Sequence, residues 1–234
     1  MNITIYNEFV HELENEKVKE IYPDGMHQVI GSYFEEDAVH YATLQDHTEN
    51  LSPKVLDKTD VLIWWGHLAH DKVSDEVVAN VHKRVLEGMG LVVLHSGHMS
   101  KIFIKLMGTT CDLKWREADD LERLWVIEPS HPIMDGIGEY IELEHEEMYG
   151  EFFDIPTPDE LLMISWFSGG EVFRSACTYK RGHGKIFYFR PGHETYPTYH
   201  HEDIKKVIQN GVKWAKPVRN FERKFGNSKP LEGK

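Results

Sequence analysis

Histidines follow three short apolar runs of this sequence, at the points where β-strands should end. The runs are Asp60–His67, Gly90–His98 and Lys185–Glu194, and each passes from apolar residues into a turn that contains glycine and histidine. In open α/β sheets, ligands bind beyond the carboxyl ends of the strands. If the three runs are neighbouring parallel strands, their histidines converge, and the sequence predicts an enzyme or a metal-binding protein.

Imidazole is a common ligand of divalent metals, and several histidines are placed to supply it. His67 and His70 are three residues apart, a spacing that puts both rings on one face of a helical turn. The alternative is a loop with two solvated histidines. We expect a divalent cation, with Zn²⁺ as the first choice, to be held by some of the histidines in these segments and in an acidic one: His67, His70, His95, His145 and His193.

Leu94–His98 joins a predicted strand to a predicted helix, and a sharp turn there presents one side chain at the edge of the sheet. The residue at the apex is His95 or Ser96, depending on the register. Ser96 can in principle form a nucleophile–base pair with His95 or His98. The alternative, which we favour, makes Ser96 the N-cap of the helix and His98 a surface residue of its first turn.

The acidic segment Glu144–Glu151 places five ionisable side chains and a tyrosine in eight positions. In an extended chain, His145, Glu147 and Tyr149 point to one side and Glu146 points to the other. Crowded carboxylates beside a histidine raise a carboxyl pKa and suit general acid–base catalysis. The alternative is a hydrated acidic loop.

Pro191–Glu194 follows a strongly apolar strand and places a His–Glu pair in a turn with glycine, a position typical of catalysis or ligand binding. The alternative is a turn that starts a helix, with Glu194 near the helix dipole. Aromatic side chains in these segments suit stacking against a sugar ring. Catalytic roles are therefore assigned to His95, Ser96, Glu146, Glu147 and His193. Substrate binding is assigned to Trp64, Trp65, Tyr149, Glu194 and Tyr196.

Strands and helices alternate in the first half of the chain. Strands are predicted at 2–7, 39–44, 60–65 and 91–94 from their short apolar or β-branched runs. Helices are predicted at 26–34, 52–56, 74–88 and 99–107 from apolar spacing and capping residues. Residues 8–24 are predicted to form a long polar loop. This order predicts a doubly wound parallel sheet.

The second half of the chain changes pattern. Strands without helical crossovers are predicted at 114–128, 140–144 and 161–167, followed by a hairpin at 172–189 and a closing helix at 202–215. The predicted fold class is therefore α/β, with a mostly parallel sheet and an antiparallel extension in the C-terminal half.

Composition limits the partners of this protein. The 234 residues carry a net charge of −13, which disfavours nucleic acid and anionic membranes. Two cysteines without a CxxC motif and no signal-like or long apolar segment lead us to expect a cytoplasmic protein. Residues 1–215 are expected to form one domain. The tail at 216–234 has six basic and two acidic side chains, and beside an acidic body it suggests a homo-oligomer.

Several of these features together resemble the ThuA-like trehalose-utilisation family, which has a class I glutamine amidotransferase-like fold. The resemblance rests on Trp64–His67, on the strand and elbow at Gly90–Ser96, on Glu146–Tyr149, and on the strand Gly184–Phe189 with the histidine turn that follows it. These features span roughly residues 1–215. The resemblance implies a flavodoxin-like three-layer sandwich.

The resemblance also implies a role in carbohydrate metabolism with a small-molecule carbohydrate as partner. True amidotransferases carry a nucleophilic cysteine at the elbow, where this sequence has His95 or Ser96, so no amidotransferase activity is expected. We expect a metal-assisted hydrolase, lyase or isomerase of a sugar or keto-sugar. The alternatives are a non-catalytic sugar-binding or regulatory protein and, third, a hydrolase that depends on Ser96.

Overall fold

One sheet organises the chain, parallel at one end and antiparallel at the other. The computed structural model describes residues 1–219 and 221–232. The strands are β1 (Asn2–Asn7), β2 (Ala38–Thr43), β3 (Val61–Trp65), β4 (Gly90–Leu94), β5 (Lys114–Val126), β6 (Tyr140–Gly150), β7 (Glu160–Phe167), β8 (Val172–Arg181) and β9 (Gly184–Phe189). Their order across the sheet is β2-β1-β3-β4-β9-β8-β7-β5-β6.

Strands β2, β1, β3, β4 and β9 pair in parallel, and the pairs from β9 through β8, β7 and β5 to β6 are antiparallel. The predicted fold class, with its antiparallel extension in the C-terminal half, is confirmed. The hairpin strand β9 inserts between the two parts, because it pairs with β4 on one side and with β8 on the other.

Helices cover the sheet. They are α1 (His11–Glu14), α2 (Glu16–Ile21), α3 (Met26–Gly31), α4 (His47–Asn50), α5 (Pro53–Leu56), α6 (Asp75–Leu86), α7 (Lys101–Met107) and α8 (Glu202–Ala215). The prediction of a long loop at 8–24 is wrong, because α1 and α2 occupy most of it. Both are short, and α2 is capped by Asn15, whose side chain accepts the backbone N–H of Lys17.

Alternate residues of the central strands enter two separate cores. Ile63 and Trp65 of β3 pack with α8 on one face, whereas Leu62 and Trp64 pack with α6 and α7 on the other. A parallel strand that is covered on both faces must be apolar on both, which explains the unbroken apolar runs. The result is a three-layer sandwich. No helix in the described part of the chain is long and apolar enough to cross a membrane.

The basic tail adds no helix or strand within residues 216–219 and 221–232. The backbone N–H of Phe221 donates to the carbonyl of Glu87, and the ring of Phe221 packs on His183. The last basic residue of the tail, Lys234, lies outside the described residues.

A fully buried arginine, Arg190, joins the parallel and antiparallel parts of the sheet. Arg190 follows β9 and forms ion pairs with Glu122 of β5 and, at 3.1 Å, with Glu146 of β6. Its guanidinium also donates to the carbonyl of Glu147 at 2.6 Å. The hydroxyl of Ser165 donates to Glu122 from β7. Because a buried charge is costly unless it is paired, this network fixes the end of β9 against β5, β6 and β7.

Glu122 should make the stability of the protein depend on pH. Burial raises the pKa of Glu122 from 4.5 to about 7, against the opposing charge of Arg190. The folded protein therefore holds this proton more tightly, and the stabilisation present below about pH 4.5 is lost as pH rises through about 7. When the pH is raised from about 5 to about 8, the free energy of unfolding should fall further in the wild type than in Glu122→Gln. The two decreases should differ by at most about 3 kcal/mol.

Urea unfolding at the two pH values measures this difference. The control is Glu142→Gln, because Glu142 lies on β6 but is exposed and pairs with Arg123 at the surface. It should follow the wild type at both pH values. An equal loss of stability in Glu122→Gln and in the wild type would contradict the assignment.

Candidate metal centre

Three neighbouring parallel strands bring their following residues to one edge of the sheet. Trp65, Leu94 and Phe189 are the last residues of β3, β4 and β9, and they are aligned in the strand register. His67 comes two residues after β3, and His95 comes directly after β4. The convergence of strand-end histidines thus follows from the strand order.

His95 stands at the apex of the turn after β4. Its φ is +48°, in the left-handed region that residues with a side chain seldom adopt. The chain then enters a 3-10 helix at His95–Met99, and α7 begins after Ser100, whose side chain accepts the backbone N–H of Phe103. The N-cap is therefore Ser100, and the interpretation of Ser96 as the cap is wrong.

Three histidines and one glutamate form a compact cluster at this edge. His67, His95, Glu147 and His193 each offer a ligand atom, and these atoms lie within 4.8 Å of one another. Nε2 of His95 is 3.1 Å from Oε2 of Glu147, and Nε2 of His193 is 4.0 Å from the same oxygen. Tetrahedral zinc with bonds of about 2.1 Å separates its ligand atoms by about 3.4 Å. The distances between the ligand atoms of the cluster are of this size.

The hydrogen bonds of His95 direct a lone pair into the cluster. Its Nδ1 is 2.9 Å from the carbonyl oxygen of Arg190, which can only accept, so Nδ1 carries the proton. Nε2 then faces Oε2 of Glu147, a buried oxygen that has no hydrogen-bond donor in the structure. Two lone pairs at 3.1 Å repel each other unless a cation or a proton lies between them. Burial lowers the pKa of His95 to about 3, so the ring is neutral and fit to bind a metal.

His193 is placed by the turn after β9. Gly192 before it has φ +124°, and its N–H donates to Oε1 of Glu146 at 2.9 Å. Nδ1 of His193 is 2.8 Å from the hydroxyl of Thr195. The backbone N–H of Thr195 donates to the same Nδ1 at 3.3 Å, so in this arrangement Nδ1 is an acceptor and the neutral ring carries its proton on Nε2. Coordination through Nε2 requires the other tautomer, in which Nδ1 donates to the Thr195 hydroxyl. Burial lowers the pKa of His193, which again favours the neutral ring.

A buried carboxylate lies behind the cluster. Oε1 of Glu194 is 3.3 Å from Nδ1 of His67 and 3.3 Å from Nε2 of His11. Burial alone would raise the pKa of Glu194, but the hydrogen bond from His67 and the nearby histidines hold it well below its usual range. Carboxylates of this kind orient a metal-binding histidine and increase its basicity.

The loop that carries His67 is held by Glu8, the residue after β1. The buried carboxylate of Glu8 accepts the backbone N–H groups of His67, Leu68 and Ala69 at 2.8–2.9 Å. Three donors on one carboxylate fix the direction of the chain after β3. The position of His67 therefore depends on Glu8, the residue that follows the neighbouring strand β1.

Three residues of the cluster, His67, Glu147 and His193, line a cavity of about 350 Å³, whereas His95 is fully buried and does not line it. Tyr149, Ser96 and His98 contribute to the same wall. The hydroxyl groups of Tyr149 and Ser96 are 2.7 Å apart, and that of Tyr149 is 3.4 Å from Nε2 of His95. His98 donates from Nδ1 to the carbonyl of Cys111 at 2.7 Å. It is buried, so the expectation of a surface histidine is wrong.

Two of the predicted metal ligands lie outside the cluster. His145 is exposed, and among residues 1–219 and 221–232 its one ionic neighbour is Glu144, at 3.9 Å. A register shift in β6 lies beside His145, because Leu143 and Glu146 are three residues apart where their partners on β5 are two apart. His70 lies in the cavity wall, in a 3-10 helix at His70–Lys72, and is absent from the four-residue cluster.

The adjacent carboxylates Glu146 and Glu147 have different surroundings. Glu146 is fully buried and accepts from Arg190, Gly192, Thr198 and the N–H of Glu147. A carboxylate that accepts from four donors stabilises the fold, and its oxygens are not free to accept a proton from a substrate. The catalytic assignment of Glu146 is thus not supported, whereas Glu147 points into the cluster.

Ser96 and most of the predicted substrate-binding residues also have other roles. Ser96 bonds to Tyr149, and no histidine in the described part of the chain bonds to its hydroxyl. Trp64 is buried and stacks on Tyr6. The remaining three are Trp65, which donates to the carbonyl of Gly192, Glu194, which pairs with histidines, and Tyr196, which donates to Asp119. Of the five predicted residues, Tyr149 alone lines the cavity.

Sequence reasoning missed Glu8, His11 and Arg190. Glu8 and His11 fall in the segment that was predicted to be a featureless loop. Arg190 carried a signal, because a charged residue directly after an apolar strand needs buried partners. Those partners, Glu122 and Glu146, are far away in the sequence.

The fold is that of class I glutamine amidotransferase-like proteins. A glutamine amidotransferase from Thermotoga maritima superposes with a TM-score of 0.52 at 9% identity, over 92% of this chain and 97% of that one. The chain belongs to the ThuA family, described as trehalose utilisation, whose model matches residues 2–215. The resemblance seen in the sequence is confirmed. This membership supports a carbohydrate-related role.

Two further solved structures share the fold. A putative ThuA-like protein from Bacteroides uniformis has a TM-score of 0.67 at 13% identity, over 92% of this chain and 91% of that one. Cytoplasmic Protein STM3548 from Salmonella typhimurium has a TM-score of 0.64 at 9% identity, over 92% and 99%. No curated protein matches this chain in sequence.

Removal of the Glu8 carboxylate should loosen the loop after β3. Glu8→Ala leaves three backbone N–H groups without their acceptor, so the free energy of unfolding should fall by about 1–3 kcal/mol. Urea unfolding measures the change. Glu14→Ala in the exposed part of α1 is the control and should have no effect beyond about 0.5 kcal/mol. A Glu8→Ala protein as stable as the wild type would contradict this role.

Proposed function

We propose that this protein is a metal-dependent enzyme that acts on a sugar or keto-sugar, without amidotransferase activity. One observation carries the proposal: nitrogen and oxygen atoms of His67, His95, His193 and Glu147 converge, and three of these residues, His67, His193 and Glu147, line a cavity. The carbohydrate follows from the family. Imidazole with carboxylate is a ligand set that suits Zn²⁺.

The residues of the cluster divide into two roles. His67, His95 and His193 would hold the cation, which when bound supplies the polarisation of a carbonyl or hydroxyl group. Glu147 lies beside them, and one of its oxygens has no hydrogen-bond donor among the residues that the structure describes, so it can take up or deliver a proton at the substrate. The hydroxyl of Tyr149 faces the same space and can donate to a substrate oxygen.

The elbow supports the exclusion of amidotransferase chemistry. The apex residue is His95, where an amidotransferase needs a thiol. The two cysteines, Cys111 and Cys177, are both buried, and burial raises the pKa of their thiols to about 11 and about 12. A buried neutral thiol is a poor nucleophile.

Cellular location and assembly are part of the proposal. Free cysteines fit a reducing compartment, and one protein of the same fold is described as cytoplasmic. We propose the same location for this chain. A homo-oligomer, suggested by the basic tail and the acidic body, is proposed on the charges alone.

A second candidate is a sugar-binding protein without catalysis on the same scaffold. The absence of the elbow cysteine favours it, because a scaffold that lost its nucleophile can keep its cavity. It implies binding of a sugar with no product formed. The third candidate, a hydrolase that depends on Ser96, has less support, because the Ser96 hydroxyl bonds to Tyr149 and a tyrosine of strongly raised pKa is no base.

Elemental analysis of the protein purified without a histidine tag tests the metal. We expect about one zinc per chain in the wild type and less than about one tenth of that in the double variant His95→Ala, His193→Ala. The control is His145→Ala, because His145 is exposed and outside the cluster. It should keep the metal. No metal in the wild type, or equal loss in the control, would contradict the site.

Metal removal tests the reaction. We would incubate zinc-loaded and chelator-stripped protein with trehalose and with keto derivatives of disaccharides, and follow products by NMR. The loaded protein should convert a sugar or keto-sugar, and Glu147→Gln should reduce the rate by about 10²–10⁴. Sugar binding without conversion would favour the non-catalytic candidate. Equal conversion by stripped protein would contradict metal dependence.

A further inference from the structure

A tryptophan stands exposed at the mouth of the cavity. Trp115 lies near the start of β5 and is 66% exposed, although it lines the same cavity as the metal cluster. Leu68 and Met99, also exposed, lie beside the cavity. A large apolar surface at the rim of a polar site points to a ligand that covers it.

The position of Trp115 is set by strand pairing. Trp115 is the register partner of Tyr149 across β5 and β6, so its indole stands beside the ring that faces His95. A ring that stacks on Trp115 therefore lies next to the proposed reaction centre. The cavity of about 350 Å³ is at the small end of the range of about 300–1,000 Å³ for ligand sites.

The charges at the rim limit what can bind. Asp112 and Glu117 line the cavity together with Glu147, and within the described residues neither lysine nor arginine lines it. The protein as a whole carries a net charge of −13. Phosphate groups are bound by arginine, lysine, helix N-termini or metal ions. The proposed cation belongs to the histidine cluster, whereas Asp112 and Glu117 repel a phosphate group at the rim. Carboxylates are instead good acceptors for hydroxyl groups.

We propose that Trp115 is a stacking platform for one ring of a neutral, unphosphorylated sugar, whose hydroxyl groups donate to Asp112 and Glu117. The proposal rests on the carbohydrate function above and narrows its substrate class. It also makes Trp115 a residue that determines specificity, because the sugar enters with an apolar face against the indole and its reacting atoms toward His95.

Calorimetric titration with trehalose and with trehalose 6-phosphate at low salt tests the proposal. We expect saturable binding of trehalose by the wild type and at least tenfold weaker binding of the phosphate ester. Trp115→Ala should weaken trehalose binding about tenfold, and Trp115→Phe should stay within about threefold of the wild type. Trp125→Ala is the control, because Trp125 is also on β5 and partly exposed but does not line the cavity.

A charge change at the rim tests the electrostatic part. Glu117→Lys should tighten the binding of trehalose 6-phosphate at least tenfold and weaken that of trehalose. The proposal is overturned if Trp115→Ala binds trehalose as the wild type does, if the wild type prefers the phosphate ester, if it binds neither sugar, or if Glu117→Lys changes neither affinity.

The zinc content of each variant separates this inference from the proposed function. Zinc in the wild type with an unaffected Trp115→Ala protein would overturn the sugar platform and leave the metal enzyme standing. A wild type that binds trehalose through Trp115 but holds no zinc would overturn the metal chemistry and leave the platform standing.

Discussion

The buried charge of Arg190 sets the geometry on which the site depends. Its guanidinium binds Glu122 and Glu146 and so joins the antiparallel strands to the end of the parallel part. Its carbonyl accepts from His95 and thereby selects the ring nitrogen that faces the cluster. Glu146, held by Arg190, in turn holds the turn that carries His193. The buried guanidinium of Arg190 must be paired, and its partners thereby fix the hydrogen bond of His95 and the turn that carries His193.

The pleat of β6 explains why adjacent acidic residues differ. Glu146 and Glu147 point to opposite faces of the strand, so one enters the ion network and the other enters the cluster. The bulge before Glu146 shifts this alternation by one residue. His145, two residues before Glu147, is exposed and lies outside the cluster.

The elements that could be predicted from the sequence are those marked by the periodicity of apolar residues and by composition. The strand β1 and the helix α8 have the predicted bounds, and the alternation in the first half predicted the parallel strands that precede His67 and His95. The parallel pairing of β9 with β4, which adds His193, was a condition of the sequence argument and did not follow from that alternation. The register shift before Glu146 leaves no mark in the residue pattern. The partners of Arg190 lie 44 and 68 residues away along the chain, and pairing across such distances depends on tertiary contacts.

The central claim is that His67, His95 and His193 hold one metal ion. Crystals of zinc-loaded protein, measured on both sides of the zinc absorption edge, test it most directly. The proposed site predicts one strong anomalous peak per chain, at about 2.0–2.1 Å from a ring nitrogen of each of the three histidines. A map without a peak there, or with its peak beside His145 or another surface histidine, would contradict the claim.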